Sequence, residues 1–263
     1  MKPPTSRTTS GPTHRPGRRS ACLLALACIA IGAASPALAQ SSGNGYLFEA
    51  PAARLTFRGG YALATAGSDL FSFTTDELTL KKSDFSSFTA GVELALPITP
   101  RLDFSIDASY ARSKKGSEFR HFTDNNDLPI EQTTAFERLP IMANLRYNLA
   151  PTGRSIGKLA WIPTTIVPYV GGGAGTMWYR FNQEGDFIDF TNNKVFHSQF
   201  NSSSWAPAAQ GFAGVDFSLT PMIALSADAR YVWAKGSLST DFGGFDKLDL
   251  SGVSATLGLT FRL

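Results

Sequence analysis

From Val253 to Leu263 every odd-numbered residue is apolar (Val253, Ala255, Leu257, Leu259, Phe261, Leu263), and Ser254, Thr256, Gly258, Thr260 and Arg262 alternate with them. A period of two sends successive side chains to opposite faces of an extended chain, so the pattern predicts a strand with one apolar and one polar face. The same alternation runs through Leu55, Phe57, Gly59, Tyr61; through Phe88, Ala90, Val92, Leu94, Leu96; and through Leu102, Phe104, Ile106, Ala108, Tyr110. It returns at Leu139, Ile141, Ala143, Leu145, Tyr147, at Ala209, Gly211, Ala213, Val215, Phe217, and at Ile223, Leu225, Ala227, Ala229, Tyr231, Trp233. One further segment, TIVPYVGGGAGTMWYR, is strand-like, but its glycines leave the outward face unassigned. Eight strands are therefore expected.

A soluble sandwich with one wet face would show the same alternation, so the connections must arbitrate. Strands two and three are joined by PITPR and strands six and seven by SLTP, while the link APTGRSIGKLAWIP between four and five is longer than a tight turn. The other pairs are separated by long polar stretches at about 63–86, 112–134, 180–204 and 235–248. Short turns at one end and long loops at the other, in alternation, are the arrangement of a transmembrane barrel. In hydrocarbon no peptide N–H or C=O can stay unpaired, so strands cross only if the sheet closes and the last strand pairs with the first. The apolar rows then face acyl chains. Each large apolar side chain is stabilised by about 1.5–3 kcal/mol on leaving water, whereas an Arg or Lys on the lipid face near the midplane costs about 2–4 kcal/mol. None of these rows contains a charge.

Composition agrees: 17% of residues are charged, 43% are hydrophobic, and there are 20 Phe and 24 Gly. Beyond the N-terminus no apolar run reaches the roughly 20 residues of a membrane helix. The N-terminus carries Lys2, Arg7, Arg15, Arg18 and Arg19 without an acid, then ACLLALACIAIGAA and a small-residue site at Ala37 and Ala39. This predicts an export signal cleaved after Ala39, dividing the chain into a signal (1–39) and a barrel (40–263). A retained anchor helix is disfavoured by the short apolar stretch, and acylation of Cys28 by Ala25, which stands where leucine is usual. Both cysteines, Cys22 and Cys28, leave with the signal. So do five basic residues, which takes Lys plus Arg from 24 to 19 against 21 Asp plus Glu and removes the case for a nucleic-acid partner.

The signal, the eight alternating segments, PYVGGGAG and the closing LGLTFRL together resemble the small eight-stranded outer-membrane barrels, that is, the OmpA-type transmembrane domain and porin-family outer membrane proteins. The resemblance implies an all-β, antiparallel up-and-down transmembrane barrel in the bacterial outer membrane, with periplasmic turns and extracellular loops. It further implies that Leu257, Leu259, Phe261 and Leu263 form the signal read by the barrel assembly machinery after delivery by periplasmic chaperones. The family's usual terminal Phe is replaced by Leu263, and the peptidoglycan-binding domain of some relatives is expected to be absent. The third long loop, or Thr65–Ser86, leaves room for a further strand pair.

Residues interleaved with the lipid rows should face inward. They include Arg54, Arg58, Arg138, Arg146, Arg230 and Arg262 against Glu93, Asp103, Asp107, Asp216 and Asp228. An eight-stranded barrel has an interior that side chains can fill, and buried charges in it are expected to pair. A plugged lumen is preferred to an ion-selective pore.

Catalytic and metal-binding chemistry is weakly supported. His197 and Ser198, with Asp186 and Asp189 nearby, could be drawn as base and nucleophile, but neighbours in an extended segment point opposite ways. Asp124, Asn125, Asn126 and Asp127 lack the spacing of a calcium loop. The run Gly171, Gly172, Gly173, Gly175 lacks the helix and Lys of a phosphate cradle. No cofactor is expected. Arg112, Lys114, Lys115 and Arg120 stand at the height of lipopolysaccharide phosphates and are candidate contacts to that lipid. Phe187, Phe190, Phe196 and Phe200 flank TNN in the third loop, which reads as a hairpin above the membrane whose aromatics either pack within it or bind a partner. The role expected is structural and interactive, with a narrow channel as first alternative, as relatives of the OmpW kind imply, and a lipid-modifying enzyme as second.

Overall fold

The alternating rows become strands because each can pair both edges while dividing its side chains between lipid and lumen. The computed structural model describes residues 45–123, 127–157, 160–189 and 194–263. The expected signal with Cys22 and Cys28 lies outside them, as do Asp124, Asn125, Asn126 and the TNN triplet. The strands are β1 (Arg54–Ala64), β2 (Ser87–Pro97), β3 (Leu102–Thr123), β4 (Pro129–Asn148), β5 (Gly153–Ile156), β6 (Ala160–Pro163), β7 (Ile166–Asp189), β8 (Lys194–Ser218), β9 (Ile223–Gly236), β10 (Leu248–Asp249) and β11 (Gly252–Arg262).

Eight of them close an antiparallel ring in the order β1, β2, β3, β4, β7, β8, β9, β11, and β11 returns to β1. The seam is in register from Arg54 opposite Arg262 to Ala64 opposite Gly252. No edge is left open within the ring. The remaining strands lie outside it. β5 and β6 make a small hairpin in the long link between β4 and β7, and β10 is a two-residue extension on β9. The fold is an all-β, antiparallel barrel of eight strands, and neither the third loop nor Thr65–Ser86 adds a pair to it.

On the outer wall Phe57, Tyr61, Phe88, Leu145, Trp205, Trp233 and Leu257 are each about half exposed or more. Large apolar side chains covering a whole wall have no counterpart on a water-soluble monomer. They are the lipid face. The glycine-rich strand β7 resolves here: Ile166, Val170 and Trp178 face outward, while the buried Val167, Tyr169, Met177 and Tyr179 face the lumen. Its inward glycines serve a close approach of backbones. A Cβ on Gly175 would stand 2.1 Å from the Ile141 carbonyl oxygen of β4.

The second expected loop is largely strand, and the third is a hairpin, as its sequence reads. β3 and β4 stay paired to Glu118 opposite Glu131, and β7 and β8 to Asp189 opposite Lys194, so both hairpins rise past the lipid. Above it the outer face meets water instead of lipid, and the apolar alternation that marks a membrane strand has no cause to continue, although inner residues such as Ser117, Ile130 and Gln132 stay buried. The first loop folds instead into α1 (Asp69–Glu77) and a short 3-10 turn (Lys82–Phe85). Asp69 lies in the first turn of α1, where a carboxylate complements the helix dipole, and its Oδ2 accepts the backbone N–H of Asp246 at 2.9 Å. That bond ties the first loop to the last.

Candidate functional site

The lumen holds two layers of opposite character. The periplasmic layer is ionic. Arg54 is paired with Asp103, and Arg146 with Asp216. Arg58 reaches Glu93 at 2.7 Å and Asp107 at 3.0 Å. Arg230 sits at the centre, with Glu93 at 2.7 Å, Asp107 at 2.9 Å and Asp228 at 2.9 Å. Neutral donors complete it: Asp107 Oδ2 also accepts from Asn144 Nδ2 at 2.7 Å and Gln210 Nε2 at 2.8 Å, and Asp103 Oδ2 from Asn148 Nδ2 at 2.6 Å. Aromatic rings cap the arginines, with Tyr169 3.5 Å from the Arg146 guanidinium and Phe212 4.7 Å from that of Arg230. Burying ions costs several kcal/mol each unless partners and hydrogen bonds compensate; each of these groups has an ionic partner, while Asp103 Oδ1 and Asp216 Oδ1 have no hydrogen-bond partner among the described residues.

Two arginines stand outside this carboxylate web. Arg262 closes the periplasmic end: Nη1 donates to the Thr220 and Pro221 carbonyls, both at 3.1 Å, and Nη2 to Ser218 Oγ at 2.6 Å. The Trp161 ring of β6 lies 5.7 Å from its guanidinium. Arg138, on the extracellular side, makes no ion pair of hydrogen-bonding length among the described residues; Nη1 donates to the Leu250 carbonyl at 3.3 Å.

The extracellular layer is apolar. Leu70 and Phe71 of α1 enter the ring and meet Phe85, Phe136, Tyr179, Phe181, Phe242 and Leu250. Phe71 lies 4.6 Å from Phe85, 5.4 Å from Phe136 and 5.7 Å from Phe181, centroid to centroid and edge-on. The sequence reading had the lumen filled by charges alone. Its missing half was carried by the spacing of Leu70, Phe71 and Thr74, one face of a helical turn, inside a stretch read as polar loop.

On the outer wall, Arg112, Glu137 and Arg180 form a row across β3, β4 and β7. Arg112 Nε stands 3.5 Å from Glu137 Oε1, and Tyr110 donates its hydroxyl to Glu137 Oε2 at 2.8 Å. The Arg180 guanidinium lies 5.2 Å from the Trp178 ring. Of the four basic residues singled out earlier, Lys114 shares the outward face with Arg112, whereas Lys115 falls on the other face of β3. Arg120 is turned onto the first loop, donating to the Thr75 and Leu80 carbonyls at 3.3 and 3.2 Å. Arg180 and Glu137 were not anticipated; strand pairing brings them in, and no local signal does.

Between the two tall hairpins lies a cleft of about 680 Å³ bordered by Lys114, Glu118, Glu131, Glu184, Asp186 and His197. His197 Nδ1 is 2.9 Å from Asp186 Oδ1 across the hairpin, both exposed, while Ser198 lies on the opposite strand face. Phe187 stacks with Phe200 at 4.6 Å and Phe196 at 6.1 Å, so those third-loop aromatics pack within the hairpin. Phe190 lies outside the described residues. The C-terminal strand presents Leu257 and Leu259 to lipid, Phe261 packs edge-on against Phe57 at 6.3 Å, and Leu263 N–H donates to the Ala53 carbonyl at 2.9 Å.

The family model for the outer membrane protein beta-barrel domain matches residues 24–261. No curated protein sequence matches significantly. Among solved structures, Neisserial surface protein A (NspA) is 13% identical at a TM-score of 0.42, over 82% of this chain and 99% of that one. OprG from Pseudomonas aeruginosa is 15% identical at 0.41, over 81% and 97%. A major outer membrane protein from Thermus thermophilus is 11% identical at 0.42, over 81% and 100%. With the family model spanning nearly the whole chain, this protein belongs to the outer membrane protein beta-barrel family and resides in the bacterial outer membrane.

Proposed function

We propose that the chain is a sealed structural barrel that strengthens the envelope and displays its two tall hairpins at the cell surface, with neither solute conduction nor catalysis as its work. The observation that supports this is the double filling of the lumen: an ionic layer of buried, mutually paired groups beneath an apolar layer centred on Phe71. A water-filled pore of the porin kind needs a ring of roughly 16–18 strands. The separation of His197 from Ser198 on opposite faces is the reason catalysis is set aside. In planar bilayers the purified protein is expected to give no discrete openings; reproducible single-channel steps would refute the sealed reading.

A second part of the role rests on the Arg112–Glu137–Arg180 row above the aromatic girdle. Guanidinium groups at that height suit the phosphates of lipopolysaccharide, and Trp178 orients one of them. The double variant Arg112→Gln, Arg180→Gln is expected to weaken lipopolysaccharide binding at least about tenfold, since even one charge-assisted contact contributes about 1.5–3 kcal/mol. Equal retention of lipopolysaccharide by wild type and variant in detergent would remove this contact from the proposal. Assembly is proposed to follow the family route, with the outward face of β11 (Leu257, Leu259, Phe261, Leu263) presented to periplasmic chaperones and then to the assembly machinery. No ligand of the hairpin cleft is assigned.

A further inference from the structure

The inward-facing charges do not balance, and the excess has an address. Six arginines face five carboxylates in the membrane-spanning lumen among the described residues. The ionic layer uses Arg54, Arg58, Arg146 and Arg230 against all five acids, and Arg262 at its periplasmic edge brings that region to neutrality. Arg138 remains, 7% exposed, between the ionic and apolar layers. Its Nη1 has the Leu250 carbonyl and its guanidinium lies 5.2 Å from the Phe136 ring, but Nη2 has no hydrogen-bond partner among the described residues. Asp249, the carboxylate next to Leu250, spends Oδ2 on the Gly67 N–H and Oδ1 on the Ser251 N–H. Asp249 acts on Arg138 only from beyond ion-pair distance, and a buried cation with no carboxylate in contact costs several kcal/mol.

Beside Arg138 is a cavity of about 40 Å³ whose wall is mostly apolar, Ala62, Ala111 and Met177 among it, with Thr89, Ser109 and Ser254 as its hydroxyl-bearing residues. A water needs at least about 10–15 Å³ of such space, so the cavity has room for one water or one small ion. The Thr89 hydroxyl already donates to the Tyr110 carbonyl at 3.2 Å, which leaves Ser109 and Ser254 as hydroxyl donors beside the charge of the guanidinium. Gly252 lets the group lie against backbone, since a Cβ there would stand 2.9 Å from Nη1.

We propose that Arg138 and this small cavity form a binding site for a single halide-sized monovalent anion, which gives Nη2 a partner and stabilises the folded barrel. This does not rest on the sealed reading above; the site would hold its ion whether or not the barrel conducts.

Bromide is the probe. Crystals of the detergent-purified protein grown in sodium bromide are expected to show an anomalous peak against the Arg138 guanidinium, absent from Arg138→Gln. In solution, unfolding is compared in sodium bromide and in sodium gluconate at equal ionic strength, gluconate being too large for the cavity. Binding to the folded state alone multiplies the folded-to-unfolded ratio by one plus ligand over Kd, so bromide at about ten times its Kd should raise that ratio about tenfold in wild type. Arg138→Gln should show no difference between the salts, and Arg138→Lys, which keeps the charge, should retain a response and guards against a folding defect in the first variant. An ordered water in place of the anomalous peak, or equal unfolding of wild type in the two salts, overturns the proposal.

Discussion

Replacing Arg230 with methionine is expected to destabilise the barrel by about 3–5 kcal/mol, the usual cost of removing one member of a buried ion cluster. Arg230 touches three carboxylates, and two of them, Glu93 and Asp107, are shared with Arg58. Methionine fills comparable volume, so the loss is one of charge and not of packing. Glu93 and Asp107 would then share Arg58 alone, and Asp228 would lose its one ion pair and keep the Thr256 hydroxyl at 3.0 Å. The measurement is the urea midpoint at which the folded, heat-modifiable gel band disappears. Adding Glu93→Gln to Arg230→Met removes one orphaned charge and should recover part of the loss, a coupling that a double-mutant cycle isolates. A single-variant loss under about 1 kcal/mol would show that the layer is hydrated and weakly coupled, contrary to the dry network described.

How much of this was legible in advance follows from what each residue faces. In seven segments one face meets hydrocarbon, where only apolar side chains are tolerated, and the alternation therefore fixed which residues point outward, from Phe57 and Leu94 to Leu257. β7 resisted because Gly171, Gly173 and Gly175 stand on its inward face, where β4 approaches too closely for a side chain; absence of a side chain carries no phase. The hairpin of β3 and β4 resisted for the opposite reason: in SKKGSEFRHFT the outer face meets water and the inner face carries Ser113 and Ser117, so no apolar row marks its strand character, whereas the third loop read as a hairpin from its aromatics. Parity alone sends Arg138 and Arg230 to the lumen. Which of them finds carboxylates depends on strand order and register around the closed ring, since Arg230 and Glu93 lie 137 residues apart in the chain. Lys115 and Arg120 show the limit of grouping basic residues by nearness in sequence, because a strand parts the first from Arg112 and the first loop claims the second.

Phe71→Ala is expected to cost about 3–5 kcal/mol, the range for truncating a fully buried aromatic, and to leave the lumen closed to ions. The ring stacks edge-on with Phe85, Phe136 and Phe181, which belong to the first loop, β4 and β7. Its removal therefore loosens α1 from the ring, while the ladder from Arg54 to Ala64 against β11 is untouched. The stability lost should belong chiefly to the loops: protease added to cells or to reconstituted vesicles should cut within 65–86 sooner, while the transmembrane part keeps its shifted gel migration. Conduction is the discriminating readout. If the ionic layer is itself a seal, Phe71→Ala stays silent in planar bilayers, because Arg58, Arg230 and their carboxylates still fill the cross-section below. If the variant conducts, the apolar layer was the sole barrier, the charges beneath it are solvated, and the barrel is a gated channel whose gate is α1.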